Sequence, residues 1–90
     1  MKMVINACYG GFSLSESAVS ALGLEGPYDF IDRSDPRLIA LVEADAEGTS
    51  GRCADLEVVE LPDDITDYIF DEYDGSERVL YVQDGRIHWA

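Results

Sequence analysis

Ten carboxylates stand between residues 55 and 77 with no lysine or arginine among them: Asp55, Glu57, Glu60, Asp63, Asp64, Asp67, Asp71, Glu72, Asp74 and Glu77. More than half of the nineteen acids of the chain thus fall in about a quarter of its length. The chemistry open to such a run is recognition, because carboxylates accept the charge-assisted hydrogen bonds of arginine and lysine. Alternate residues of a strand point the same way, about 6.6–6.8 Å apart. Pairs such as Asp55 and Glu57 can therefore present negative charge at nearly the spacing of successive phosphates along one nucleic-acid strand. A surface of this kind can occupy a basic groove, replacing phosphates in arginine pairs and in counterion release. The same run also suits a solvated sheet face whose charged edges discourage aggregation.

A second constellation is Asn6, Cys8, Tyr9, Gly10, Gly11 and Ser13, which reads as a strand end, a glycine turn and a helix start. Free backbone N–H groups at such a junction can hold an anion, and a nearby thiol can be activated as a nucleophile. A small-molecule or catalytic site centred on Cys8 to Gly11 is the alternative to a tight turn beside a buried thiol. The phosphate-loop lysine and full glycine spacing are lacking, and the net charge opposes an anionic substrate. His88, the single histidine, could serve Cys8 as a base only if the last strand lay beside the first. Cys8, Cys53 and His88 fall outside zinc-site spacing, and Asp71 to Glu77 lacks the EF-hand pattern. The expectation is a protein that is not an enzyme and uses neither metal nor cofactor.

Nineteen acids against six bases give a formal net charge of −13. That charge repels phosphate backbones and anionic lipid alike, so direct contact with nucleic acid or membrane is not expected. It attracts a basic surface and speeds the encounter by long-range steering, although solubility or an acidic host proteome would also account for it. Ninety residues, 47% of them hydrophobic, suffice for one domain with a modest core. No apolar run approaches a membrane span or a signal-peptide core, which points to the cytoplasm. Without export, Cys8 and Cys53 are expected as reduced, largely buried thiols.

The elements that must position these residues follow from periodicity. Residues 2 to 9 read as a strand apolar on both sides. Ser13-Leu14-Ser15-Glu16 fits a capping box opening a helix that ends at Gly23 or at Gly26-Pro27. After a connection at 28–33 that can run extended around Phe30 and Ile31, Ser34 or Asp35 caps a second helix with Pro36 in its first turn, ending near Gly48. Glu43, Asp45 and Glu47 then sit in its last turns, where the helix dipole disfavours them. Strands follow at 54–61, 68–73, 78–82 and 86–89, the last two joined by a two-residue hairpin at Asp84-Gly85. The predicted fold is α+β in the order β-α-α-β-β-β-β, a single domain with a mixed or antiparallel sheet and two helices packed on one face. Tyr68, Phe70, Tyr73, Tyr81 and Trp89 are expected mostly in the core, any left exposed beside carboxylates serving as interface anchors.

Val4-Ile5-Asn6-Ala7-Cys8-Tyr9-Gly10-Gly11-Phe12 followed by Ser13-Leu14-Ser15 resembles the opening of a group of small phage- and prophage-encoded proteins with no assigned activity. The likeness continues through Asp35-Pro36, Val58-Val59-Glu60, Pro62-Asp63-Asp64 and Tyr73-Asp74-Gly75. It covers roughly residues 3 to 79, leaving the last hairpin outside. The resemblance implies a phage or prophage setting and carries no catalytic residue. With the acidic run it points to an accessory protein that binds and inhibits a host protein with a basic surface, such as a CRISPR or restriction effector. A homodimer joined through a sheet edge is a further alternative.

Overall fold

Met3, Val4 and Ile5 leave the opening segment no face for solvent, and it forms a strand buried from both sides. In the computed structural model, which describes residues 1–90, this is β1 (Lys2–Asn6), paired antiparallel with β2 (Leu56–Glu60) so that Met3 opposes Val59 and Ile5 opposes Glu57. Alternation then divides the core. Val4 and Leu56 join Leu14, Ala18, Leu22 and Leu38 on one side of this ribbon, while Met3 and Ile5 join Leu61 and Val79 on the other.

Helices cover the first side. Helix α1 (Glu16–Leu22) buries Ala18 and Leu22, and α2 (Pro36–Ala44) buries Leu38 and Val42. Asp35 caps α2 by accepting from the Arg37 amide, with Pro36 in the first turn, and Gly23 ends α1 in the left-handed region at φ 69°. The cap of α1 is Ser15, not Ser13. The Ser15 hydroxyl accepts from Ala18 N at 3.2 Å, because Ser13 is drawn inward by the Gly51 amide, which donates to its carbonyl at 2.9 Å.

The second helix also stops earlier than the sequence suggests. It breaks at Asp45, whose carboxylate accepts from the Gly48 amide and caps a short extra helix, α3 (Ala46–Thr49). The three acids are therefore favourably placed. Glu43 pairs with Lys2 at 2.7 Å, Asp45 is an N-cap, and Glu47 lies in a first turn.

The other side of the ribbon is covered by a separate antiparallel sheet, the meander β3 (Asp67–Tyr73), β4 (Ser76–Gln83) and β5 (Arg86–Trp89). Two-residue turns join its strands, with Asp74 and Gly75 at φ 54° and 91° and Asp84 and Gly85 at φ 53° and 73°. Positive φ at both central positions is what the twist of a tight hairpin demands. The predicted order β-α-α-β-β-β-β holds with the short α3 added, and the fold is α+β, but the strands form two antiparallel sheets and not one, giving three layers: helices, a two-stranded ribbon and a three-stranded meander.

The open edge of β1 is closed by Arg33 and its ion pair with Glu77. Arg33 runs extended beside β1, and its carbonyl accepts from Val4 N at 2.8 Å. Its guanidinium meets both carboxylate oxygens of Glu77, at 2.5 and 2.9 Å, while Glu77 also accepts from Asn6 N at 2.8 Å. Phe12 lies 3.6 Å beneath the guanidinium. Two backbone amides that a further strand would have paired are thus satisfied, Val4 N by the Arg33 carbonyl and Asn6 N by the Glu77 carboxylate.

Candidate functional site

The junction from Asn6 to Ser13 is consumed by the fold. Asn6 is fully buried, and its side chain has no capacity to spare: the amide donates to the Cys8 and Gly75 carbonyls at 2.8 Å each, and the oxygen accepts from Asp55 N at 2.8 Å. One asparagine thereby ties together the end of β1, the start of β2 and the β3–β4 turn. Gly10 packs so tightly on the Cys53 carbonyl that any Cβ there would overlap it. Tyr9 is exposed and meets Tyr73 edge-on at 6.4 Å, Gly11 takes φ 89°, and Ser13 is buried.

The helix these residues were expected to open begins only at Glu16, with Ser15 already bonded across to the Gly48 carbonyl at 2.7 Å. The thiols are free but not largely buried. Cys8 is half-buried, its Sγ 3.0 Å from the Cys53 carbonyl, and Cys53 is exposed, because its loop lies over the strand end and not beneath it. His88 stacks on Tyr81 at 5.4 Å, on a strand bonded to β4 and not to β1. No three His, Cys, Asp or Glu side chains stand close enough to hold a metal ion.

The ten acids do not gather on one face. Glu57 shares the meander side of β2 with Val59, whereas Glu60 faces the helix side opposite Lys2. Asp55 is exposed at the start of β2. Asp63 meets the N-terminal ammonium at 3.0 Å and Asp64 accepts from Gln83 at 2.7 Å. Glu72 accepts from Gly75 N at 2.5 Å and Asp74 occupies the turn, so both serve the hairpin. Glu77 is held by Arg33. Asp67 and Asp71 point to the outer face of the meander, where Asp71 pairs with Arg78 at 2.9 Å.

That outer face is the feature sequence reasoning missed. Val79 is buried against the ribbon, so its strand neighbours Leu80 and Val82 point outward, together with Ile69 of β3 and with Ile87 and Trp89 of β5. Ile69 is 59% exposed, Ile87 73% and Trp89 66%. The Arg78 guanidinium spans the face, bonded to Asp71 and 5.2 Å from the Trp89 ring. Five apolar side chains across three adjacent strands make a continuous patch with acids Asp67 and Asp71 at its margin, the arrangement of an interface with an apolar centre and a polar rim.

The aromatics expected mostly in the core are instead exposed: Tyr68, Phe70, Tyr73 and Trp89 all keep substantial surface, and Tyr81 is half-buried. The ribbon covers only one face of the meander, and aliphatic side chains already fill the space between the sheets. Ile87 and Trp89 at alternate positions of the last strand were the available signal, hidden because a strand apolar on one face is ordinarily read as facing a core.

Comparison with known proteins brought no match to a family model, to a curated protein or to a solved structure.

Proposed function

We propose that this chain is a small phage-type accessory protein that binds a host protein with a basic surface and obstructs that protein's work. The observation that carries the reading is the open apolar face of the meander, bordered by carboxylates, on a molecule of net charge −13. Charge brings the partner in from a distance, and desolvation of Trp89, Ile87 and Ile69 holds it. Because the acids lie on several faces, the charge suits steering better than tracing a phosphate backbone. Inhibition follows from occupying or shadowing the partner's basic surface, which in a nuclease or another nucleic-acid-binding defence component is the surface that performs its task.

A homodimer through the same face is disfavoured on charge, since it would join two chains of −13. The test is kinetic. Replacing Asp63, Asp64, Asp67 and Asp71 by lysine should slow association with a captured basic host protein about tenfold or more at low salt, and high salt should erase the difference. Equal association rates for the two proteins at low salt would remove the electrostatic half of the proposal.

A further inference from the structure

Strand β3 lies at the end of the meander, and its outer edge is bonded to no strand. Val79 and Ala90 exchange both of their backbone bonds across the β4–β5 pair, at 3.4 and 2.9 Å. Antiparallel alternation then assigns Arg78, Leu80 and Val82 to bond β3, through Asp71, Ile69 and Asp67. The amides and carbonyls of Tyr68, Phe70 and Glu72 are left facing the open edge. Tyr68 N is already taken by the Asp67 carboxylate at 2.8 Å. The amides of Phe70 and Glu72 are presented free, a ready template for another strand.

Beside this edge runs a cleft of about 540 Å³, walled by Phe12, Tyr28, Phe30, Tyr68 and Phe70 and carrying Asp29 and Asp32. Its one cation, Arg33, is already committed to Glu77. Tyr28 and Phe30 are 82% and 88% exposed, yet they are not on a slack loop. The Asp29 carboxylate between them accepts from Glu25 N and Phe30 N at 3.1 and 3.2 Å, and the Pro27 carbonyl accepts from Leu14 N at 3.2 Å. Exposed rings held in place before binding cost little to order when a partner arrives.

We infer that β3 takes up an extended, lysine- or arginine-bearing segment of the partner protein as an added strand, with its alternate side chains entering the aromatic cleft. Free edge amides supply the main-chain bonds of strand addition, and pockets for alternate side chains supply selectivity. The occupant is cationic because aromatic faces attract ammonium and guanidinium groups, and because Asp29, Asp32, Asp67, Asp71 and Glu72 surround the edge with no unpaired base among the cleft residues. A second copy is opposed by the same charges, since pairing two β3 edges would bring Asp67, Asp71 and Glu72 of both chains into one ladder. The inference rests on the reading of this chain as a binder of a basic protein and adds, beside the outer face, a strand edge and cleft that the same partner would use.

The test uses the whole chain and two synthetic probes, an alternating Lys-Val peptide and the same peptide N-methylated on the backbone of one edge. The unmodified peptide should bind and slow hydrogen exchange at the Phe70 and Glu72 amides. N-methylation should weaken it about tenfold or more through lost main-chain bonds. Phe30→Ser, at an exposed position, should weaken the unmodified peptide similarly without changing the melting temperature. Equal affinity for both peptides, or a Phe70 amide that stays unprotected in the complex, overturns strand addition while leaving recognition of a basic protein through the outer face intact. Failure of both peptides to bind overturns it as well, and the proposed function then stands or falls on the association-rate comparison with the captured host protein.

Discussion

Glu77 accepts from the Asn6 amide and from both Arg33 nitrogens at once, so the open edge of β1 is closed by an ion pair instead of a strand. The pair is largely buried, its side chains only 21% and 11% exposed, and removing one member strands the other without solvent. Glu77→Leu should therefore destabilise the protein by about 3–5 kcal/mol in denaturant titrations. Glu77→Gln should cost less, since an amide oxygen still accepts from Asn6 N. The double replacement Arg33→Met with Glu77→Leu should not restore stability, because the β1 amide remains unpaired; full recovery would show that the edge bonds carry no weight.

Asp32 and Asp35 contribute to the acid limb of stability. The Ser34 amide, then its hydroxyl, holds the Asp32 carboxyl below the ordinary range, and the Arg37 guanidinium, then its amide, does so for Asp35. Their contribution is complete above an ordinary aspartate pKa of about 3.9 and is lost as pH falls through the lower folded values. Asp35→Asn keeps a capping oxygen and should flatten the decline of stability below about pH 4. An unchanged acid limb would contradict this assignment. Asp35-Pro36 was readable as a helix start because its chemistry is local. The roles of Asn6, Arg33 and Glu77 were not, since the partners that join them across the fold lie between 29 and 71 residues away in sequence.

At the scale of elements, the two halves of the fold are held unequally. Helices and ribbon share an eight-residue cluster, whereas the meander meets the ribbon through Met3, Ile5, Leu61 and Val79 together with the Glu77 pair. Fewer buried contacts mean a lower free energy of local opening. Amides of β3 and β5 should exchange hydrogen faster than those of β1 and α2; uniform protection across both sheets would show a single cooperative unit. Periodicity and turn chemistry made every strand legible, Asp84-Gly85 above all. The division into two sheets was not, because an alternating strand declares that one face is buried and not which layer buries it. The same ambiguity concealed the outer face: Trp89 was expected mostly in the core and stands exposed, beside Ile69 and Ile87.

For the whole molecule, charge acts in two opposite directions. Only five of the nineteen acids pair with a cation, so self-repulsion works against the folded state, while the same charge would draw in the basic partner proposed above. Added monovalent salt should raise the melting temperature and weaken partner binding, a pair of opposite trends that a neutral interface would not give. The acidic composition was plain from the sequence, but its distribution over several faces needed the strand registers.

The most direct measurement compares the wild-type chain with an Ile87→Ser/Trp89→Ser variant as immobilised baits for host proteins at low salt. Both side chains are exposed, so the variant should keep the wild-type melting temperature. The account predicts that the wild type retains a basic protein and releases it at high salt, and that the variant retains it at least about tenfold less well, as loss of a hot spot requires. Equal retention of the same protein by a folded variant would contradict the assignment of the meander's outer face as the binding surface.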